Sequence, residues 1–305
     1  MKLPRLIFVT GKGGTGKSTV AASLATALAP RRPTTLADLE GRQSAMRLLG
    51  ANVIDADAAA IPANSRTDTT DADVALDFLT ITPQGELEAF IQRIVPLRAV
   101  SRRMLRSRTF GYVTAALPGL EAFLMLERLR QLGGNAALND RFAVIDAPAT
   151  GHALELLAVA KGIRNLAPTG TLNRLSSGVE EFLFDRNRFG VLLTVLPEEL
   201  ALREALEAAV ALRDRLGIEC VGAVLNCVPP TLFMPAEIAK LRRLEAHALL
   251  AERRNAQAEF ARHARRELER AAIAVAELPM LYQATLGAHE VATLSRRLAT
   301  EMLPR

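Results

Sequence analysis

Leu6-Ile-Phe-Val-Thr-Gly-Lys-Gly-Gly-Thr-Gly-Lys-Ser-Thr19 decides the fold. Its first five residues, Leu6–Thr10, form an apolar run that reads as a buried strand. Gly11 to Ser18 satisfies G-x-x-x-x-G-K-[ST] at every fixed position. The stretch that follows, Ser18–Ala29, has a helical pattern. A strand, a glycine-rich loop and a helix in that order make a phosphate-binding loop. Gly11, Gly13, Gly14 and Gly16 let backbone N–H groups, that of Thr15 among them, curl around phosphate oxygens with no glycine Cβ in the way. The helix N-terminus adds its partial positive charge. Lys17 is expected to reach the β- and γ-phosphates, and the Ser18 hydroxyl to ligate Mg²⁺, with Thr19 beside it in the cradle. Lys12 places a second lysine in the loop.

Outward from this loop, short apolar runs recur at Thr34–Asp38, Ala75–Ile81, Phe142–Asp146, Gly190–Leu196, Cys220–Asn226 and Ala272–Glu277. Helix-patterned stretches separate most of them. The expected fold is α/β: a mostly parallel sheet covered by helices on both faces, with its ligand at the carboxyl ends of the strands. No linker divides residues 1–305, which read as one domain carrying a helical insertion at 86–131. Asn52–Asp73, rich in Ala, Asp and Thr, reads as a surface excursion. Ala236–Arg270 is an alanine- and arginine-rich helical stretch.

Composition bounds the function. The chain has 305 residues, 50% of them hydrophobic and 23% charged, so it can bury a large core and is not disordered as a whole. Two cysteines cannot build a disulfide scaffold. No apolar run reaches membrane-spanning length. The N-terminus lacks an h-region, so no signal peptide is expected and the location is expected to be cytoplasmic. The net charge of +5 selects no partner class by itself.

Two further strand ends carry acids. Phe142-Ala-Val-Ile-Asp146 runs into Ala147-Pro-Ala-Thr-Gly-His152. An aspartate there is expected to hold Mg²⁺ through a water, with Pro148, Thr150, Gly151 and His152 as a loop that senses the γ-phosphate. Thr34–Asp38 runs into Leu39-Glu-Gly-Arg-Gln43, where Asp38 or Glu40 could position the attacking water.

These residues resemble the ArsA/guided-entry (tail-anchored protein targeting) ATPases of the deviant Walker A class. The loop with Lys12, Asp146-Ala-Pro-Ala-Thr-Gly-His152, Leu225-Asn226 and Glu277-Leu-Pro-Met280 fall in that family's order and spacing, and Pro197-Glu-Glu199 before a helix fits as well. The resemblance covers most of the chain and is weakest in the helical insertion. It implies Mg²⁺-dependent ATP hydrolysis by a nucleotide-bridged dimer, with Lys12 acting on the partner's nucleotide. It puts Glu40 at the switch I position that activates water and Asp146–His152 at switch II. It implies adenine contacts from Asn226, with Leu278, Pro279 and Met280 lining the base pocket. The helical subdomain would bind and release a client, apolar or membrane-associated.

This sequence departs from the family at two places. The zinc-binding CxxC is absent, and Cys220 and Cys227, flanking one strand, are too far apart to share a metal. No zinc, iron–sulfur cluster or arsenite site is therefore expected. Glu-Gly-Arg-Gln in switch I resembles a zinc-free, actinobacterial-type branch, which leaves either a homodimer or a heterodimer with a sister ATPase.

The insertion holds only Met104 and Met125, with Phe90, Phe110, Tyr112 and Phe123. Ala89–Leu120 carries six arginines (Arg93, Arg98, Arg102, Arg103, Arg106, Arg108) and no acid. Arg98, Arg102 and Arg106 share one helix face, compatible with peripheral contact at an anionic membrane. The alternative reading is a ParA/MinD-like positioning ATPase that binds DNA or anionic membrane. The Asp146–His152 stretch and the long insertion argue against it, and nucleic acid is not the expected partner.

Overall fold

Leu6–Gly11 forms β1, and its side chains alternate between two cores. Leu6 and Phe8 face one and Ile7 and Val9 the other, all without solvent exposure. This is the pattern of a central strand covered on both faces. The computed structural model describes residues 3–51, 76–94, 119–134, 141–166, 169–234, 236–237 and 245–303.

Along the chain, β1 is followed by α1 (Lys17–Leu28), β2 (Thr34–Asp38), α2 (Ser44–Leu48), β3 (Leu76–Thr80), α3 (Pro83–Ile94) and α4 (Leu120–Gly134). Then come β4 (Phe142–Asp146), α5 (Thr150–Leu166), α6 (Gly170–Phe184), β5 (Phe189–Val195) and α7 (Glu199–Val210). A π-helical turn, Ala211–Leu216, continues α7 and leads into β6 (Cys220–Val228). The chain ends with α8 (Glu245–Arg270), β7 (Val275–Pro279) and α9 (Ala288–Met302). The seven strands form one parallel sheet in the order β3-β2-β4-β1-β5-β6-β7.

One core packs α1, α2 and α9 against the sheet; the other packs α3 to α8. Phe8, Phe189 and Phe182 stack in sequence, with ring centroids 5.9 and 5.5 Å apart. β1 lies at the centre, where the strand order reverses: β2, β3 and β4 lie to one side and β5, β6 and β7 to the other. Ligands of such sheets bind outside the strand carboxyl ends at this reversal. The phosphate-loop motif begins there.

Of the expected insertion at 86–131, α3 and α4 supply the described parts. Glu86 on α3, 5% exposed, meets Arg128 on α4 at 3.7 Å. Phe90, Phe123 and Met125 pack into or against the sheet core. Met104, Phe110, Tyr112 and the arginines from Arg98 to Arg108 lie outside the described residues, as does Asn52–Asp73. The two cysteines do not flank β6 as expected; both lie within it, and both are free. Burial pushes the Cys220 thiol up to about 11 and raises that of Cys227.

Candidate functional site

The loop from Gly11 to Gly16 is shaped by contacts with its own chain. A Cβ on Gly11 would run into the Thr194 carbonyl oxygen of β5, because the strand leaves the sheet in close contact with its neighbour. Gly16 has φ +86°, and a Cβ there would strike the Asn226 amide nitrogen. Only glycine fits both positions. At the loop's crest Gly13 and Gly14 face open space, with nothing within 4 Å of an added Cβ. That space is where the backbone N–H groups can receive a phosphate.

Lys12 ties the loop together. Its carbonyl accepts from the Thr15 hydroxyl at 2.9 Å, the Thr15 N–H at 3.3 Å and the Lys17 ammonium at 3.5 Å. Its own ammonium donates to Glu204 Oε1 on α7 at 3.0 Å. The lysine that sequence reasoning assigned to a partner's nucleotide is thus held by a carboxylate of the same chain. Glu204 was not foreseen: it stands 192 residues away and carries no motif.

Asp146 and Asp38 end adjacent strands in direct register. Asp146 is 5% exposed. Burial pushes its carboxyl up to about 6, against the lowering effect of the Ser18 hydrogen bond; Asp38 and Glu40 raise it further and Lys17 lowers it. Lys17, Ser18, Asp38, Glu40 and Asp146, each chosen from the sequence, therefore form one electrostatic cluster at the carboxyl edge of the sheet. The hydroxyl of Ser18 beside the Asp146 carboxylate is a pair of hard oxygen donors, which fits Mg²⁺.

The structure separates the two candidate bases. Asp38, 2% exposed, accepts from the Glu40 N–H at 3.2 Å and the Gln43 N–H at 2.9 Å. Both its oxygens are thus engaged in folding the loop that follows β2. The Glu40 side chain is a third exposed and lies 3.8 Å from Arg42. Gln43, also unforeseen, takes a left-handed backbone at φ 54°, and its amide reaches the Thr80 hydroxyl at 3.5 Å.

The segment after Asp146 is shorter as a loop than expected. Thr150, Gly151 and His152 already form the first turn of α5, which leaves Ala147, Pro148 and Ala149 as the connection. The Pro148 carbonyl accepts from the Thr10 hydroxyl at 2.7 Å, so β1 anchors this connection.

On the far side, the Asn226 amide donates to the Thr15 carbonyl at 2.8 Å and braces the phosphate loop. The family resemblance offers this residue as an adenine contact; here its amide is bound to the loop. Leu278 does not line a base pocket: it is fully buried in the sheet core, because alternation along β7 turns it inward. Pro279 is exposed at the strand end, and the Met280 N–H donates to the Val228 carbonyl at 2.9 Å, which keeps this segment beside the end of β6.

Residues 6–246 match the family model of the CobQ/CobB/MinD/ParA nucleotide binding domain. The chain is 30% identical over 250 residues to ATPase BagA of Mycobacterium tuberculosis, and equally to a Mycobacterium bovis protein provisionally named an ATPase. The matched region covers 80% of this chain and 71% of each relative.

Proposed function

The chain belongs to the CobQ/CobB/MinD/ParA nucleotide-binding domain family, and from that premise we propose that it is an ATPase of the ArsA/guided-entry kind, an ATP-driven dimeric switch that binds and releases a client through its helical insertion. One observation carries the reading. The Lys17–Ser18 end of the phosphate loop sits against Asp146, with Asp38 at the end of β2 and Glu40 just after it, at the reversal point of a parallel sheet.

The chain's own groups divide the work. The loop N–H groups and Lys17 bind and orient the phosphates of ATP. Ser18 and Asp146 would hold Mg²⁺; when bound, the ion neutralises charge on the β- and γ-phosphate oxygens. Glu40 positions the attacking water, since its carboxylate is accessible while that of Asp38 is committed to backbone N–H groups. Asp38 keeps Glu40 in place. Lys12, once released from Glu204, is the cation available to a second subunit's nucleotide. A homodimer or a heterodimer with a sister ATPase would satisfy this arrangement. Among the described residues no helix is long and apolar enough to cross a membrane.

Phosphate release from Mg²⁺-ATP by the full chain tests the reading. Lys17→Ala is expected to abolish turnover, and Glu40→Gln to reduce it by 10²-fold or more with ATP binding retained, on the order expected for losing a general base. Turnover unchanged in Lys17→Ala would refute the assignment.

A further inference from the structure

A second concave site lies at the opposite end of the sheet from the phosphate loop. Phe184 closes α6 just before β5, and Ile218 stands just before β6; both line a cavity of about 380 Å³ with the second half of α5. Its volume falls in the range of small-molecule sites. Leu157, Ala160, Leu183 and Leu216 give it an apolar wall.

Its charge is one-sided. Lys161, Arg164 and Arg215 face one carboxylate, Glu180. Glu180 is 8% exposed and accepts from Arg164 at 2.6 Å, so that pair is internally neutral. Lys161 and Arg215 have no carboxylate partner among the described residues. Two cations that meet no carboxylate among the described residues, beside an apolar wall, match an amphipathic anion.

The backbone at this place is unusual in an independent way. Arg215 and Leu216 reach the cavity from the π-helical turn Ala211–Leu216. Such turns are rare and recur at functional sites. Leu212 anchors the turn in the core at 1% exposure, and its carbonyl accepts from the Ile218 N–H at 2.9 Å. Gly217, at φ +71°, closes the turn beneath the Phe184 ring, which remains 53% exposed at the lip. A regular α-helix would rotate Arg215 and Leu216 to other positions, since the wider turn changes the angle per residue.

We propose that this cavity binds a small soluble amphipathic anion, its carboxylate or phosphate head paired with Lys161 and Arg215 and its aliphatic body against Leu157, Leu183 and Leu216. The cavity is concave and small. A membrane-facing surface instead spreads its apolar and basic side chains along one helix face. α5 begins at Thr150, directly behind the Asp146 connection, and its second half forms the cavity wall. An occupant would therefore contact the same helix that starts at the nucleotide site.

The test uses the full chain without nucleotide, so its outcome is independent of ATP hydrolysis. Methyl-labelled protein is titrated by NMR with octanoate, octyl phosphate, inorganic phosphate, 1-octanol and phosphatidylglycerol vesicles. Octanoate and octyl phosphate are expected to shift the Leu157, Leu183, Leu216 and Ile218 methyls saturably, with inorganic phosphate and octanol roughly tenfold weaker or worse. The Lys161→Gln, Arg215→Gln double variant should weaken both octyl anions roughly tenfold and leave octanol unchanged. Both side chains are exposed, so the variant is expected to fold. A charge-matched Arg203→Gln, Arg253→Gln control should retain wild-type affinity. Absence of saturable shifts, equal affinity in the Lys161→Gln, Arg215→Gln variant, or binding to vesicles alone would each overturn the proposal.

Discussion

At Gly16 two constraints meet in one residue: a left-handed backbone and a Cβ direction blocked by Asn226. Gly16→Ala is expected to abolish ATP binding measured by calorimetry. Adding Asn226→Ala should restore little of it, because the backbone strain remains when the clash is gone. Asp146 makes stability depend on pH. Its folded-state pKa, about 6, lies above the ordinary value of 3.8. Its stabilising contribution is therefore fully present below the ordinary value and is lost as pH rises through about 6. In urea denaturation without metal, the wild type should fall behind Asp146→Asn by on the order of 2 to 3 kcal/mol between about pH 4 and pH 7. A gap independent of pH would show that the carboxyl is not destabilised by burial. The sequence singled out residues of contiguous motifs as candidates. It gave Glu204 no role and quoted Gln43 only as part of a motif, because their contacts are made by the fold.

Where α3 meets α4, a buried carboxylate faces an arginine. Burial raises the Glu86 carboxyl, and Arg128 with Arg93 lowers it in part. Arg128 Nε is buried and makes no hydrogen bond, so the pair holds charge balance more than tight geometry. Arg128→Met leaves Glu86 short of compensation and is expected to cost about 3 kcal/mol in urea unfolding at neutral pH. The loss should shrink as pH falls, because the protonated Glu86 no longer needs a partner. Adding Glu86→Gln should recover most of it. The sequence showed this region as helical through its periodicity. It could not show which carboxylate on one helix would meet which arginine on the other.

For the whole molecule, the decisive question is whether nucleotide brings two copies together. Lys12 rests on Glu204 with both side chains about a third exposed, a pairing that contributes little to stability and can be exchanged. Sedimentation of Glu40→Gln with Mg²⁺-ATP is expected to give twice the 32.9 kDa chain mass, and with ADP the single mass. If the sister-ATPase arrangement holds, the doubled mass should appear only when the partner is added. Lys12→Ala should lower turnover by 10³-fold or more, the scale of a lost arginine finger, and change ATP affinity only severalfold. Equal losses of both would place Lys12 on its own subunit's nucleotide.

The parallel α/β fold was readable because apolar runs and helical periods are local, and because a buried parallel strand cannot disguise its hydrophobicity. The phosphate loop was readable for the same reason: its glycines, Lys17 and Ser18 are contiguous, and their chemistry requires that order. The tertiary structure alone decided which acid is committed to the backbone. Asp38 and Glu40 are chemically alike and two residues apart, and backbone N–H groups engage one and leave the other accessible. It also turned Leu278 into the core, set Asn226 against the loop and gave Lys12 a partner 192 residues away. These are outcomes of packing, where a residue's role depends on the neighbours the sheet brings within a few ångströms, and no local pattern records those neighbours.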